Sequence, residues 1–147
     1  MLEFLQNKDP LFWIAIAMIL FNILKRFRGD TGEKDTDHGN CILVKDRAHF
    51  DSLLDEAKSK PVIVDFFATW CPPCKLAAPV FAKWSKQYPN VCFLKVDVDK
   101  AKDVAKHCQI TAMPTFSMYL NKKNVDTKQG WQEEIIRSML LKHIKES

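Results

Sequence analysis

The segment Val62-Ile63-Val64-Asp65-Phe66-Phe67 is apolar at every position but one. That is the pattern of a central strand covered on both faces. Upstream, Ile42 to Val44 reads as a short strand. Asp46 then stands where it can cap a helix reaching about Lys58, with Phe50, Leu53, Leu54 and Ala57 on one face. Pro61 opens the central strand. Beyond it the spacing predicts a helix over 74–87, which Pro79 should kink by removing a backbone hydrogen bond. A strand over 91–96, a short helix over 100–107 and a strand pair over 115–120 and 124–128 come next. An amphipathic helix over 132–145 turns Ile135, Ile136, Met139, Leu140 and Ile144 inward. The order βαβαβαββα implies an α/β fold: a central mixed sheet with helices on both faces and an antiparallel hairpin at its end. No internal repeat interrupts it.

The first 40 residues depart from this pattern. The stretch Leu11-Phe12-Trp13-Ile14-Ala15-Ile16-Ala17-Met18-Ile19-Leu20-Phe21-Asn22-Ile23-Leu24 has no charge and a single amide. As a helix it rises about 21 Å against a hydrocarbon core of about 30 Å, so spanning requires local thinning or help from Phe4, Leu5 and Phe27. An apolar run can also be a buried core helix. Here the basic cluster Lys25, Arg26 and Arg28 and the polar stretch after it leave such a helix no core to enter, and the reading is a transmembrane helix. Glu3, Lys8 and Asp9 precede the run with a slight negative balance and basic residues follow it, the reverse of a cleavable signal peptide. The segment also lacks the amphipathic, arginine-rich and acid-poor character of a matrix-type presequence. The positive-inside rule places the C-terminal side in the cytoplasm, without distinguishing the endoplasmic reticulum, mitochondrial outer or plasma membrane. Residues 29–40 contain no aliphatic or aromatic side chain and read as a flexible polar linker. The expected organisation is an anchor with a basic flank over 1–28, a linker over 29–40 and a folded domain over 41–147.

Composition narrows the function classes. A chain of 147 residues with 47% hydrophobic and 27% charged positions supports one globular domain. Its net charge of +4 is spread over mixed-sign segments, with no basic tract interleaved with aromatics, so nucleic acid is not an expected partner. Five cysteines, at 41, 71, 74, 92 and 108, are odd in number and irregular in spacing, which argues against a disulfide framework. No metal is expected, because there is no second Cys-x-x-Cys and no closely spaced pair among His38, His49, His107 and His143. Cys92 and Cys108 fall in a predicted strand and helix, where free cysteines behave as small buried hydrophobes. Cys108, at a helix end, has an alternative reading as a secondary regulatory thiol.

The chemistry lies in Trp70-Cys71-Pro72-Pro73-Cys74-Lys75, at the end of the apolar strand. With the second cysteine inside a helix, the first sulfur sits at the helix N-terminus, where unpaired N–H groups and the positive dipole end favour thiolate. Residue types alone therefore suggest that Cys71 attacks a partner disulfide and Cys74 resolves the mixed disulfide. Asp65 is an acid within an apolar strand. Its burial calls for a partner, for which Lys95 is the candidate, or for a raised pKa, which suits proton exchange with a thiol.

From Cys41 onward the chain resembles the thioredoxin family. The segment from Val64 through the Trp70-to-Lys75 hexapeptide is similar to its active-site strand and turn. Phe93-Leu94-Lys95-Val96-Asp97-Val98-Asp99 is similar to its third strand, and Ala112-Met113-Pro114-Thr115-Phe116 to its substrate loop. Three matches in register are more specific than a lone Cys-x-x-Cys. The resemblance implies the thioredoxin fold and a redox-active Cys71–Cys74 disulfide. It further implies an exposed nucleophile at Cys71, a buried resolving thiol at Cys74, and Asp65 as proton acceptor and donor with Lys95 as its charge partner. Pro114 matches the family's cis-proline, with an ordinary strand-entry proline as the alternative. Met113 then offers backbone to a substrate strand. Trp70, Pro72, Pro73, Gly130 and Trp131 complete the substrate-binding set, with Gly130 and Trp131 equally readable as turn and core.

The chain departs from the family in two places. Pro72-Pro73 replaces the usual Gly-Pro and is similar to tryparedoxins and some membrane-tethered relatives. Asn121-Lys122-Lys123-Asn124 replaces an Asn-Gly hairpin turn, so an Asn in the left-handed region is expected there. The implied function is a membrane-tethered protein-disulfide reductase with no bound cofactor, taking electrons from a separate reductase and passing them to disulfide-containing proteins. The alternatives are a tryparedoxin-like carrier, a cytochrome-maturation protein and a thioredoxin-fold interaction scaffold. The basic cluster after the anchor and the short span from Cys74 to Pro114 oppose the second of these.

Overall fold

The computed structural model describes residues 37–145 together with Pro10 and Met18. The anchor expected over 1–28, those two residues aside, and residues 29–36 of the linker lie outside the described residues. Among the described residues no helix is long and apolar enough to cross a membrane.

The chain runs through β1 (Ile42–Leu43), α1 (Arg47–Ala57), β2 (Val62–Phe67), α2 (Pro72–Gln87), β3 (Cys92–Asp97), α3 (Lys102–His107), β4 (Thr115–Leu120), β5 (Lys123–Gln129) and α4 (Glu133–Ile144). The five strands form one sheet in the order β1-β3-β2-β4-β5. β1 and β2 each pair with β3 in parallel, whereas β2–β4 and β4–β5 are antiparallel. This is the mixed sheet expected from the element order.

Alternation along the strands divides the interior in two. Val62, Val64 and Phe66 join Leu94 and Val96 against Phe50, Leu53 and Leu54 of α1 and Val104 of α3. Ile63, Phe93, Phe116 and Met118 meet Ala77, Phe81 and Trp84 of α2 and Ile136, Met139 and Leu140 of α4. Phe81 is wholly buried, edge-on to Phe93 at 5.0 Å between ring centroids. Asp65 has the parity of Ile63, so it points to the face that α2 covers.

Three local features differ from expectation. Helix α2 begins at Pro72 rather than Cys74, because proline fits the first helical turn, where its missing N–H costs nothing and its fixed φ is already helical. Pro79 is accommodated within the same continuous helix. The β4–β5 turn has Asn121 in the left-handed region at φ 49°, as expected, but Lys122 joins it at 67° to close a tight two-residue loop, and β5 consequently starts at Lys123 rather than Asn124.

The third difference concerns where the domain starts. Residues 37–40, assigned to the linker by their composition, lie on the second half of α2 in the compact unit Asp37–Ser147. Asp37 accepts a hydrogen bond from the Gly39 N–H and forms an ion pair with Lys86. The Asn40 N–H donates to Ser85 Oγ at 2.8 Å. Gly39 has φ +59°, and a Cβ there would overlap the Ala82 carbonyl oxygen and Ser85 Oγ. The polar side chains that suggested solvent are the groups that dock this segment.

Candidate functional site

Strand β2 delivers the chain to a turn in which the Cys71 N–H donates to the Ala68 carbonyl at 3.2 Å. Cys71 has extended backbone and is the N-cap of α2, its Sγ accepting from the Cys74 N–H at 3.3 Å. The two cysteines form a disulfide across a Cα separation of 5.3 Å. A sulfur at the cap of a 16-residue helix meets unpaired amides and the positive end of the dipole, the setting that favours thiolate once the bond is reduced.

The resemblance implies an exposed Cys71, and the oxidised structure corrects this: both cysteines are only 3% exposed. They pack with Ala68 against Phe67, Val98 and Met113. The disulfide holds Cys71 Sγ inward against the first turn of α2. Around it, Pro72 and Pro73 are exposed, and Trp70 is 63% exposed. The Trp70 Nε1–H donates to Asp99 Oδ2 at 2.9 Å, which holds the indole on the rim. Asp99 was not among the residues singled out from sequence, although the Asp97-Val98-Asp99 alternation places it at the strand end beside the motif. Asp97 itself is buried and accepts from the Asp99 N–H at 3.0 Å, shaping that loop.

Asp65 is fully buried, and neither carboxylate oxygen has a hydrogen-bond partner. Desolvation raises its pKa from 3.8 to about 7, with the Lys95 charge opposing the rise. Lys95 lies beside Asp65 in the β2–β3 register. Its ammonium, however, sits over the Phe67 ring, 4.5 Å from the centroid, so the two charged groups interact through space rather than by a hydrogen bond. Phe67, the last residue of β2, was read from sequence only as part of the apolar run.

The Met113–Pro114 peptide is cis, and Pro114 is buried. Met113 packs against the cysteine pair and precedes β4, which begins at Thr115. The Thr115 hydroxyl donates to the Ala112 carbonyl at 2.7 Å, bracing the loop. The Gly130 N–H donates to the Pro114 carbonyl at 2.8 Å. With φ +82° and no atom within 4 Å of the place a Cβ would occupy, Gly130 leaves open space next to the proline. Trp131 belongs to the core rather than the rim, its half-buried ring lying 6.0 Å from Trp84 and 5.7 Å from Phe116.

The three other cysteines are free and partly buried, and burial raises the pKa of each. Cys92 packs against the core between the sheet and helices α1 and α3. Cys108 Sγ lies 3.5 Å from the Tyr119 hydroxyl. Among the described residues no three His, Cys, Asp or Glu side chains are placed to hold a metal ion.

Comparison with known proteins agrees with this geometry. The sequence model of one family, described as Thioredoxin, matches residues 41–143. Thioredoxin from Ophiophagus hannah is 41% identical over 102 residues, covering 69% of this chain and 97% of the relative. Thioredoxin from Ictalurus punctatus is 46% identical over 96 residues, covering 64% and 90%. Among solved structures, Fasciola hepatica thioredoxin aligns with a TM-score of 0.68 at 38% identity, covering 69% of this chain and 97% of that one.

Proposed function

The chain belongs to the thioredoxin family and is a thiol–disulfide oxidoreductase; from that premise we propose that it reduces protein disulfides at a membrane surface facing the cytoplasm. The observation that carries the chemistry is the Cys71–Cys74 disulfide at the cap of α2, with an unpartnered carboxyl group on the strand face beneath that helix.

In the reduced protein the Cys71 thiolate attacks one sulfur of a target disulfide. A mixed disulfide forms and the other target sulfur leaves as a thiolate, which takes a proton from solvent. Asp65 then accepts the Cys74 proton, and the Cys74 thiolate attacks Cys71 Sγ, closing the internal disulfide and releasing the second target sulfur. Two electrons pass from the dithiol to the target, and a separate reductase restores the dithiol. A carboxyl group with a pKa near 7 can both take and return a proton at cytoplasmic pH, which supports this role. Trp70, Pro72 and Pro73 form an exposed rim for docking. The Met113 backbone, outside the β4 ladder, is placed to pair with an extended target segment, and the space beside Gly130 admits it.

Attachment to the membrane rests on the sequence of residues 11–24 and on the basic cluster after them. Insulin disulfide reduction by the full chain, coupled to an excess of a chemical dithiol reductant, tests the enzymatic reading. Activity that is lost in Cys71→Ser supports it, and an inactive intact protein rejects it in favour of a scaffold.

A further inference from the structure

We propose that Phe67 is a positioning residue, whose ring holds the Lys95 ammonium away from Asp65 and so leaves the carboxyl group free to exchange a proton with Cys74. The proposal rests on the proton-acceptor reading of Asp65 and adds to it the device that keeps the acid unpaired.

Lys95 and Asp65 are register partners on adjacent parallel strands, both buried or nearly so. In that position a lysine and an aspartate ordinarily close into a hydrogen-bonded ion pair, because an unpartnered buried carboxylate is costly. Here both Asp65 oxygens are without partners, while the ammonium stands 4.5 Å from the Phe67 ring centroid. Phe67 is two residues beyond Asp65 on the same strand face, and it packs against the cluster formed by Ala68, Cys71 and Cys74. One ring therefore packs on the cluster that holds the redox centre and occupies the cation that would otherwise neutralise the acid. The negative face of a desolvated aromatic ring attracts an ammonium, so the ring competes with the carboxylate for Lys95.

The other groups facing Asp65 leave this balance to Lys95. Helix α2 presents Ala77, Phe81 and Trp84 to this face, and the two cysteines at its start do not titrate as a disulfide. The segment before β1 contributes Cys41, whose raised pKa keeps it neutral through the relevant range. Strand β4 places Phe116 in register with Asp65, and α4 presents Ile136, Met139 and Leu140 to this face.

The test uses the oxidised full chain and reads Asp65 directly, by the pH dependence of its side-chain carboxyl carbon signal in NMR. Phe67→Leu and Phe67→Met remove the ring face, and the Asp65 midpoint is expected to fall by about one pH unit as Lys95 closes on the carboxylate. Phe67→Tyr retains the face and should hold the original midpoint. In a Lys95→Met background the Phe67→Leu substitution should leave the midpoint unmoved, because the effect passes through the ammonium. An unchanged midpoint in both ring-removing variants overturns the proposal. So does an equal fall with and without Lys95, which would mark simple loosening of the site. Asp65→Asn kinetics report separately on the proton-acceptor reading: a Cys74 resolution rate indifferent to that change removes the catalytic role and leaves the titration result standing.

Discussion

The Asn40 N–H donates to Ser85 Oγ at 2.8 Å, tying a residue that precedes the first strand to the buried second half of α2. The Ser85 hydroxyl in turn donates a hydrogen bond to the Ala82 carbonyl at 2.6 Å, so the serine is satisfied on both sides. The cap of α2 carries the disulfide and its other half carries this latch. From Cys71 to Ser85 the helix rises about 21 Å, so the chain leaves the domain far from the reactive sulfurs.

Gly39→Ala is expected to destabilise the domain by about 1–3 kcal/mol. It introduces a Cβ that overlaps the Ala82 carbonyl and Ser85 Oγ, at a backbone φ of +59° that alanine disfavours. Urea unfolding measures this, and amide exchange at Asn40 should accelerate. An unchanged midpoint would mean that the latch contributes nothing to the fold.

Asp99→Ala removes the acceptor of the Trp70 indole and should raise KM for a protein disulfide about threefold, with little change in kcat. The effect is small because the pair is exposed and water replaces the lost contact. Reduction of a small disulfide, which does not need the rim, should be unaffected. A fall in kcat of the same size for both substrates would assign Asp99 to the chemistry instead.

The order of strands and helices was legible because β2 and β3 are buried on both faces and the helices keep their apolar stripes. The cysteine pair was legible because its chemistry is local: a cap residue and a residue in the first turn, three positions apart. Contacts set by tertiary structure were not. Compatible residue types suggested Lys95 as the partner of Asp65, but the choice between a carboxylate and the Phe67 ring is made by side-chain conformation within a register both strands share. Trp131 reads from sequence equally as docking surface or as core. Only the arrival of Trp84 and Phe116 from two other elements encloses it. Residues 37–40 carry the composition of a linker, and their docking depends on a glycine conformation and a serine 45 positions away.

The full chain should float with lipid vesicles and resist extraction at alkaline pH, whereas a chain beginning at Asp37 should stay in the aqueous fraction. The apolar run over 11–24 is short for a bilayer, so retention should be stronger in thin membranes than in thick ones. Protease added to sealed cells or organelles locates the domain. Digestion from the cytoplasmic side alone is expected, and protection from that side would reverse the orientation inferred from Lys25, Arg26 and Arg28.

Asp65→Asn should stabilise the oxidised protein at pH 8 and leave it unchanged near pH 3. The pKa of Asp65 is raised on folding, from 3.8 to about 7, so the folded state binds the proton more tightly than the unfolded one. Below pH 3.8 both states are protonated and the residue contributes no pH-dependent cost. Between there and about 7 the unfolded chain ionises first, and stability falls as pH rises. Above that range the full cost of a buried carboxylate is present, on the order of 4 kcal/mol from a shift of about three units. Asparagine keeps the shape without the charge, so urea unfolding of the variant should lose that slope. Resolution at Cys74 should slow in the same variant, because the group that makes the fold less stable at neutral pH is the one proposed to take the thiol proton. A variant that gains stability and keeps its full resolution rate across pH would separate the two effects and assign Asp65 a cost without a catalytic return.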